Sequence, residues 1–177
     1  MSLFRPQITM GEGSMAVLPI LAYPNPQLRQ KAKRVRNIDG SIQRLIDDMV
    51  ETMHQAQGVG LAATQIGVPL RVIVIELPDE ETIALVNPQI VRRSGERLVT
   101  EGCLSIPGYR GEIRRSVKVT AKGLDRHGRE IRVKGEGLLA EALEHEIDHL
   151  NGVLYIDHLG SLDELQRVEV ETEAPEI

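Results

Sequence analysis

The stretch LLAEALEHEIDHLNG, Leu138–Gly152, decides how the chain is read. It contains good helix formers throughout, leucines at helical spacing, no Pro, and Gly152 where a left-handed residue ends a helix. The spacing predicts one buried helix. His145 and His149 stand four residues apart, so on a helix both imidazoles project from one face, a turn apart, close enough to share a metal ion. Glu146 lies beside them. The pattern is HExxH, whose mechanics are two neutral imidazole ligands and a carboxylate that handles protons.

Working outward, the chain's 177 residues suffice for one sizeable core. With one Phe, three Tyr and no Trp, that core must rest on Val, Ile and Leu. A net charge of −5 gives no global attraction to nucleic acid or to an anionic membrane, although a local basic patch stays compatible with it. No apolar run reaches membrane-spanning length, and the N-terminus lacks a secretory pattern. The single cysteine fits a reducing compartment, so a cytoplasmic location is expected.

Residues 1–14 are pattern-free and read as a disordered extension or cloning scar, with one catalytic domain over 15–160 and a short helical turn and acidic tail over 161–177. Ile42, Leu45, Ile46, Met49, Val50 and Met53 fall at the spacing of an amphipathic helix, capped by Asp39 or Ser41 and closed by Gly58. GVGLAATQIG, 58–67, describes a backbone passing close to something else, and Gln65 is its one amide able to serve a site. Strands are expected at Arg71–Leu77, in two extended segments around Asn87-Pro88, at Leu98–Ile106, in a hairpin of Ser116–Lys122 and Arg129–Lys134, and at Val153–Ile156. The fold class is therefore α+β, with small mixed or antiparallel sheets around a central helix carrying HExxH. His54, His127 and His158 read as structural or surface residues.

A catalytic metal site needs a third protein ligand and an open position. The arrangement with a third His six residues past the second fails, because Tyr155 occupies that place. A downstream Glu is available as Glu169, in an acidic run poorly suited to a rigid ligand. Cys103 is the third candidate, a soft thiolate upstream.

GVGLAATQIG at 58–67, EGCLS at 101–105 and HEIDH at 145–149, in this order, resemble the three motifs of peptide deformylases, compact bacterial type. That resemblance implies Cys103, His145 and His149 as metal ligands and Glu146 as general acid/base. It also implies Gln65 and the Leu104 backbone N–H as donors to the developing oxyanion. Val59, Gly60, Gly102, Leu138, Glu141 and Ala142 would surround the peptide. The implied cofactor is one divalent ion, Fe(2+) foremost, with Zn(2+), Ni(2+) or Co(2+) in purified protein. The implied substrates are N-formyl-Met nascent peptides, with a transient ribosome contact and no membrane or specific DNA partner. One departure stands out: Glu144 occupies a position where the family usually has Gln. Arg115 is placed to pair with Glu101 and orient the strand carrying Cys103. The rival readings are a zinc endopeptidase using Glu169 and a structural metal site in a binding module.

Overall fold

The computed structural model describes residues 15–168. The expectations for 1–14 and for the acidic tail from Glu169 onward lie outside them. An α-helix, Gly40–Gln55 (α1), begins at Asp39, whose side chain accepts from the Ser41 and Ile42 N–H groups. The left-handed residue after it is Gln57 (φ 55°), not Gly58. Gly58 is needed for another reason: a Cβ there would lie 2.6 Å from Leu104 Cδ1.

Strands Gly60–Ala62 (β1), Val72–Ile75 (β2), Ile83–Ser94 (β3), Lys118–Leu124 (β6) and Glu130–Glu136 (β7) form one antiparallel sheet, ordered β1-β2-β3-β6-β7. Strands Arg97–Cys103 (β4), Ile106–Arg115 (β5) and Gln166–Arg167 (β8) form a second antiparallel sheet, ordered β4-β5-β8. Successive side chains of a strand face opposite ways, and β2 uses both faces. Ile73 and Ile75 pack with Leu143, Ile147 and Leu150 of the helix Leu138–Leu150 (α2), while Val72 and Val74 pack with Ile46, Met49 and Met53 of α1. A third apolar cluster joins Val99 and Ile113 of the second sheet to Leu28, Leu154, Tyr155 and Ile156. The expected α+β architecture is present, and its sheets are antiparallel.

Four further expectations are corrected. The two segments around Asn87-Pro88 are one bulged strand, in which left-handed Asn87 bonds both the N–H and the C=O of Val35. Val153–Ile156 is not a strand: a 3-10 turn, Tyr155–His158, forms because Asp157 accepts the Leu154 N–H and pairs with Arg29, while Tyr155 and Ile156 bury against the second sheet. The helical turn expected within 161–177 is, among the described residues, confined to Leu162–Glu164, after which β8 pairs with Tyr109 and Arg110. The extended segment expected to stop at Ile106 instead turns back there and continues as β5. Gly152 does end α2 in the left-handed region (φ 74°), and a Cβ there would meet Arg29 O at 2.4 Å.

Candidate metal centre

Helix α2 is buried along most of its length, and His145, Glu146 and His149 all lie on its enclosed face. His149 Nε2 is 3.1 Å from His145 Nε2 and 3.3 Å from Cys103 Sγ. Donor atoms of Cys103, His145 and His149 all fall within 4.8 Å of one another. Cys103 reaches this point because a register shift between Glu101 and Cys103 ends the regular β4–β5 ladder there. Two imidazoles and a thiol this close together could hold one cation, and N2S is a donor combination suited to zinc or ferrous iron.

The surroundings hold these donors in place. Glu101 is buried, accepts from His145 Nδ1, and receives two bonds from Arg115, at 2.9 and 2.7 Å. Burial alone would raise the Glu101 pKa, but Arg115 and His145 outweigh it and hold the carboxyl at about 2. Arg115 also bonds Asp148 at 2.7 Å, and Asp148 takes a bond from His158 at 2.9 Å. A carboxylate behind a histidine fixes which ring nitrogen is left free for an ion. Burial and the nearby His145 keep His149 neutral, the form that ligates. Burial opposes protonation of His145 as well, but contacts with Cys103 and Glu101 raise its pKa, so a proton would compete with any ion there.

Removing Arg115 would break a buried ion pair and leave the Glu101 carboxylate with His145 as its one remaining partner among the described residues, a defect typically costing about 3–5 kcal/mol. Arg115→Ala is therefore expected to lower the melting temperature by roughly 10 °C, read by circular dichroism. A change under about 2 °C would show the pair to be dispensable.

Glu146 is buried beside the donors, and burial pushes its carboxyl up to about 7. Its Oε2 has no hydrogen-bond partner among the described residues. Gln65 Oε1 accepts from the Ala62 N–H at 2.9 Å, which turns Nε2 toward Ser105 Oγ (3.1 Å) and Cys103 Sγ (3.7 Å). The glycine spacing of 58–67 is accounted for: a Cβ on Gly60 would stand 2.6 Å from Glu146 Oε1.

A cleft of about 550 Å³ opens over Cys103, His145 and Glu146, and Val59, Gly60, Gln65, Gly102, Leu104, Leu138, Glu141 and Ala142 all line it. Glu141 is 3.4 Å from Arg97 Nη2 and has a pKa raised by burial. Glu169 lies outside the described residues. Sequence reasoning missed Asp148, Ser105, and the cleft-lining Arg110 and Val168. It also missed the His145–Glu101 contact, although EGC placed that Glu two residues from Cys103. Glu144 needs no Gln: its carboxylate accepts from Ser116 N–H (2.9 Å), Ser116 Oγ (2.8 Å) and Arg93 Nε (2.9 Å).

A family model described as polypeptide deformylase matches residues 17–165. A peptide deformylase of Dehalococcoides mccartyi is 58% identical over 163 residues, 92% of this chain and 98% of that protein. The crystal structure of a peptide deformylase from Legionella pneumophila superposes with a TM-score of 0.82 at 51% identity, covering 84% of this chain and 89% of that one. A Met-Ala-Ser-bound class I type b peptide deformylase from Acinetobacter baumannii gives 0.79 at 31% identity, covering 82% and 100%.

Proposed function

The chain belongs to the peptide deformylase family, and from that premise we propose that it hydrolyses the formamide on the N-terminal methionine of new polypeptides, releasing formate. The carrying observation is the convergence of Cys103, His145 and His149 beside a buried, unpaired Glu146 oxygen at the cleft floor. The donors fit a single divalent ion, Fe(2+) in the cell, with Zn(2+), Ni(2+) or Co(2+) able to substitute. When bound, such an ion supplies a hydroxide nucleophile at neutral pH and polarises the formyl oxygen.

The remaining work falls to side chains and backbone. Glu146, poised near neutrality, takes the proton of the attacking water and returns it to the methionine nitrogen as the C–N bond breaks. Gln65 Nε2 and the Leu104 N–H donate to the oxygen as it gains charge. Formyl carries only hydrogen on its carbonyl carbon, so a cramped floor admits it and rejects acetyl. The segment around Val59 and Gly60 offers backbone to an extended peptide as an added strand, across from Gly102. Leu138 and Ala142 contribute to the apolar wall for methionine, and Glu141, tied to Arg97, adds a polar edge. A transient ribosome contact would bring the enzyme to its nascent substrates.

Metal-loaded protein is expected to release formate from formyl-Met-Ala-Ser and not acetate from acetyl-Met-Ala-Ser; absence of formate would refute the reading. Gln65→Ala is expected to lower kcat by about 10²–10³ with little change in KM, as for removal of an oxyanion donor. A rise in KM at constant kcat would assign Gln65 to ground-state binding instead. Gly60→Ala is expected to displace the Glu146 carboxylate and reduce kcat at least about tenfold, at a stability cost of about 1–3 kcal/mol. Wild-type turnover in that variant would mean that Glu146 does not need its present position.

A further inference from the structure

We propose that the outer face of β3, β6 and β7 is a docking surface for the phosphate backbone of RNA. Register puts Gln89, Lys122 and Arg132 in one row across the three strands, and Arg92, Thr120 and Lys134 in the next. Alternation places them away from the core, since Val119 and Ala121 are buried while Lys118, Lys122, Arg132, Lys134 and Arg92 are exposed. Arg34 joins Lys122 and Arg132 around a groove of about 560 Å³ on this face, and Arg92, Lys118 and Lys134 border a second of about 490 Å³.

The only ion pair here among the described residues is Lys118–Glu136, at 3.7 Å. Glu130 is the other acid, on the edge of the first groove. Arg34, Arg92, Lys122, Arg132 and Lys134 thus present unneutralised charge on a chain whose net charge is −5. Lys122 and Arg132 are directly opposed in register, an arrangement of like charges that weakens a sheet. Such repulsion gives the fold nothing, and an anionic partner relieves it.

RNA matches this surface better than a membrane does. Lys122 and Arg132 stand about 4.8 Å apart across adjacent strands, Arg132 and Lys134 about 6.8 Å apart along one, and Arg92 and Lys134 two strands apart on either side of Thr120, and the two grooves accept a ridge rather than a plane. Hydroxyl and amide donors, Ser94, Thr120 and Gln89, stand among the cations, as at surfaces that grip phosphates. The inference rests on the nascent-chain reading only for the source of that RNA, the ribosome on which such a chain is made.

The test uses the full-length metal-loaded protein, a fluorescein-labelled 20-base-pair RNA hairpin read by anisotropy, and co-sedimentation with ribosomes. Binding is expected to weaken with salt along a log–log slope of about −3 to −4. The double variant Lys122→Glu/Arg132→Glu should bind hairpin and ribosomes at least about tenfold more weakly and flatten the slope by about 2. Its release of formate from free formyl peptide should be unchanged, and that separate readout distinguishes failure here from failure of the catalytic reading. If the reversal misfolds, Lys122→Gln/Arg132→Gln, which removes the repulsion, should melt no lower than wild type and still lose affinity. Equal RNA and ribosome binding by these variants, a slope near zero, or binding to phosphatidylglycerol vesicles in place of RNA would overturn the proposal.

Discussion

Glu146→Gln is expected to keep one metal ion per chain and lower kcat for formyl-Met-Ala-Ser by about a thousandfold or more, at the upper part of the range for general acid–base catalysis. The substitution preserves shape, hydrogen-bonding reach and the close packing against Gly60, and removes only the ability to take and return a proton. Glu146 stands outside the converging set of Cys103, His145 and His149, so metal content should be indifferent to it. The carboxyl is buried and sits at about 7, so at neutral pH it can exist in either state, as a group that both accepts and delivers a proton must. Two measurements separate the outcomes: metal analysis after gel filtration and a formate assay under single-turnover conditions. Loss of metal with loss of activity would make Glu146 structural. Full activity with metal retained would remove it from the mechanism.

Cys103→Ala is expected to abolish turnover, by about 10⁴-fold or more, because the site then keeps two nitrogen donors and cannot hold its ion against a mild chelator. The fold should survive. Cys103 lies at the end of β4, half-exposed to the cleft, and the Glu101–Arg115 pair that anchors the strand does not depend on the sulfur. His145 should respond as well: contact with Cys103 is among the influences raising its pKa, so its pKa in the metal-free variant should fall. Metal content near zero with a near-native circular dichroism spectrum is the expected result. Metal content unchanged from wild type would exclude the thiolate as a ligand.

What can be read without a structure is set by the range of the interactions. Helices α1 and α2 are legible because Ile42 to Met53 and Leu138 to Leu150 repeat with the helical period, and a cap and a terminal glycine are local signals. HEIDH points to a candidate metal site because its two histidines are brought together by the helix itself. The partnership of Cys103 with them spans more than forty residues, and only the resemblance of three ordered motifs points to it. No local pattern ties Glu101 to His145, or Arg115 to Asp148, because those contacts exist only after β4 and β5 are laid against α2. Strand β5 is hidden by Pro107, Gly108 and Gly111, which read as turn chemistry. Gly111 is in fact where Leu159 packs onto the strand, so closely that a Cβ there would stand 3.0 Å from Leu159 Cδ2. Val153–Ile156 looks like a strand because it is short and apolar, yet among the described residues no sheet edge pairs with it and Asp157 turns the chain instead. Glu144 resembles a defect against the family pattern until Arg93 and Ser116 are seen around it.

X-ray absorption at the metal edge of zinc-loaded protein tests the central claim most directly. One sulfur at about 2.3 Å, two imidazole nitrogens at about 2.0–2.1 Å and one exchangeable oxygen are expected. A spectrum without sulfur, or with four protein donors and no oxygen, would contradict the account.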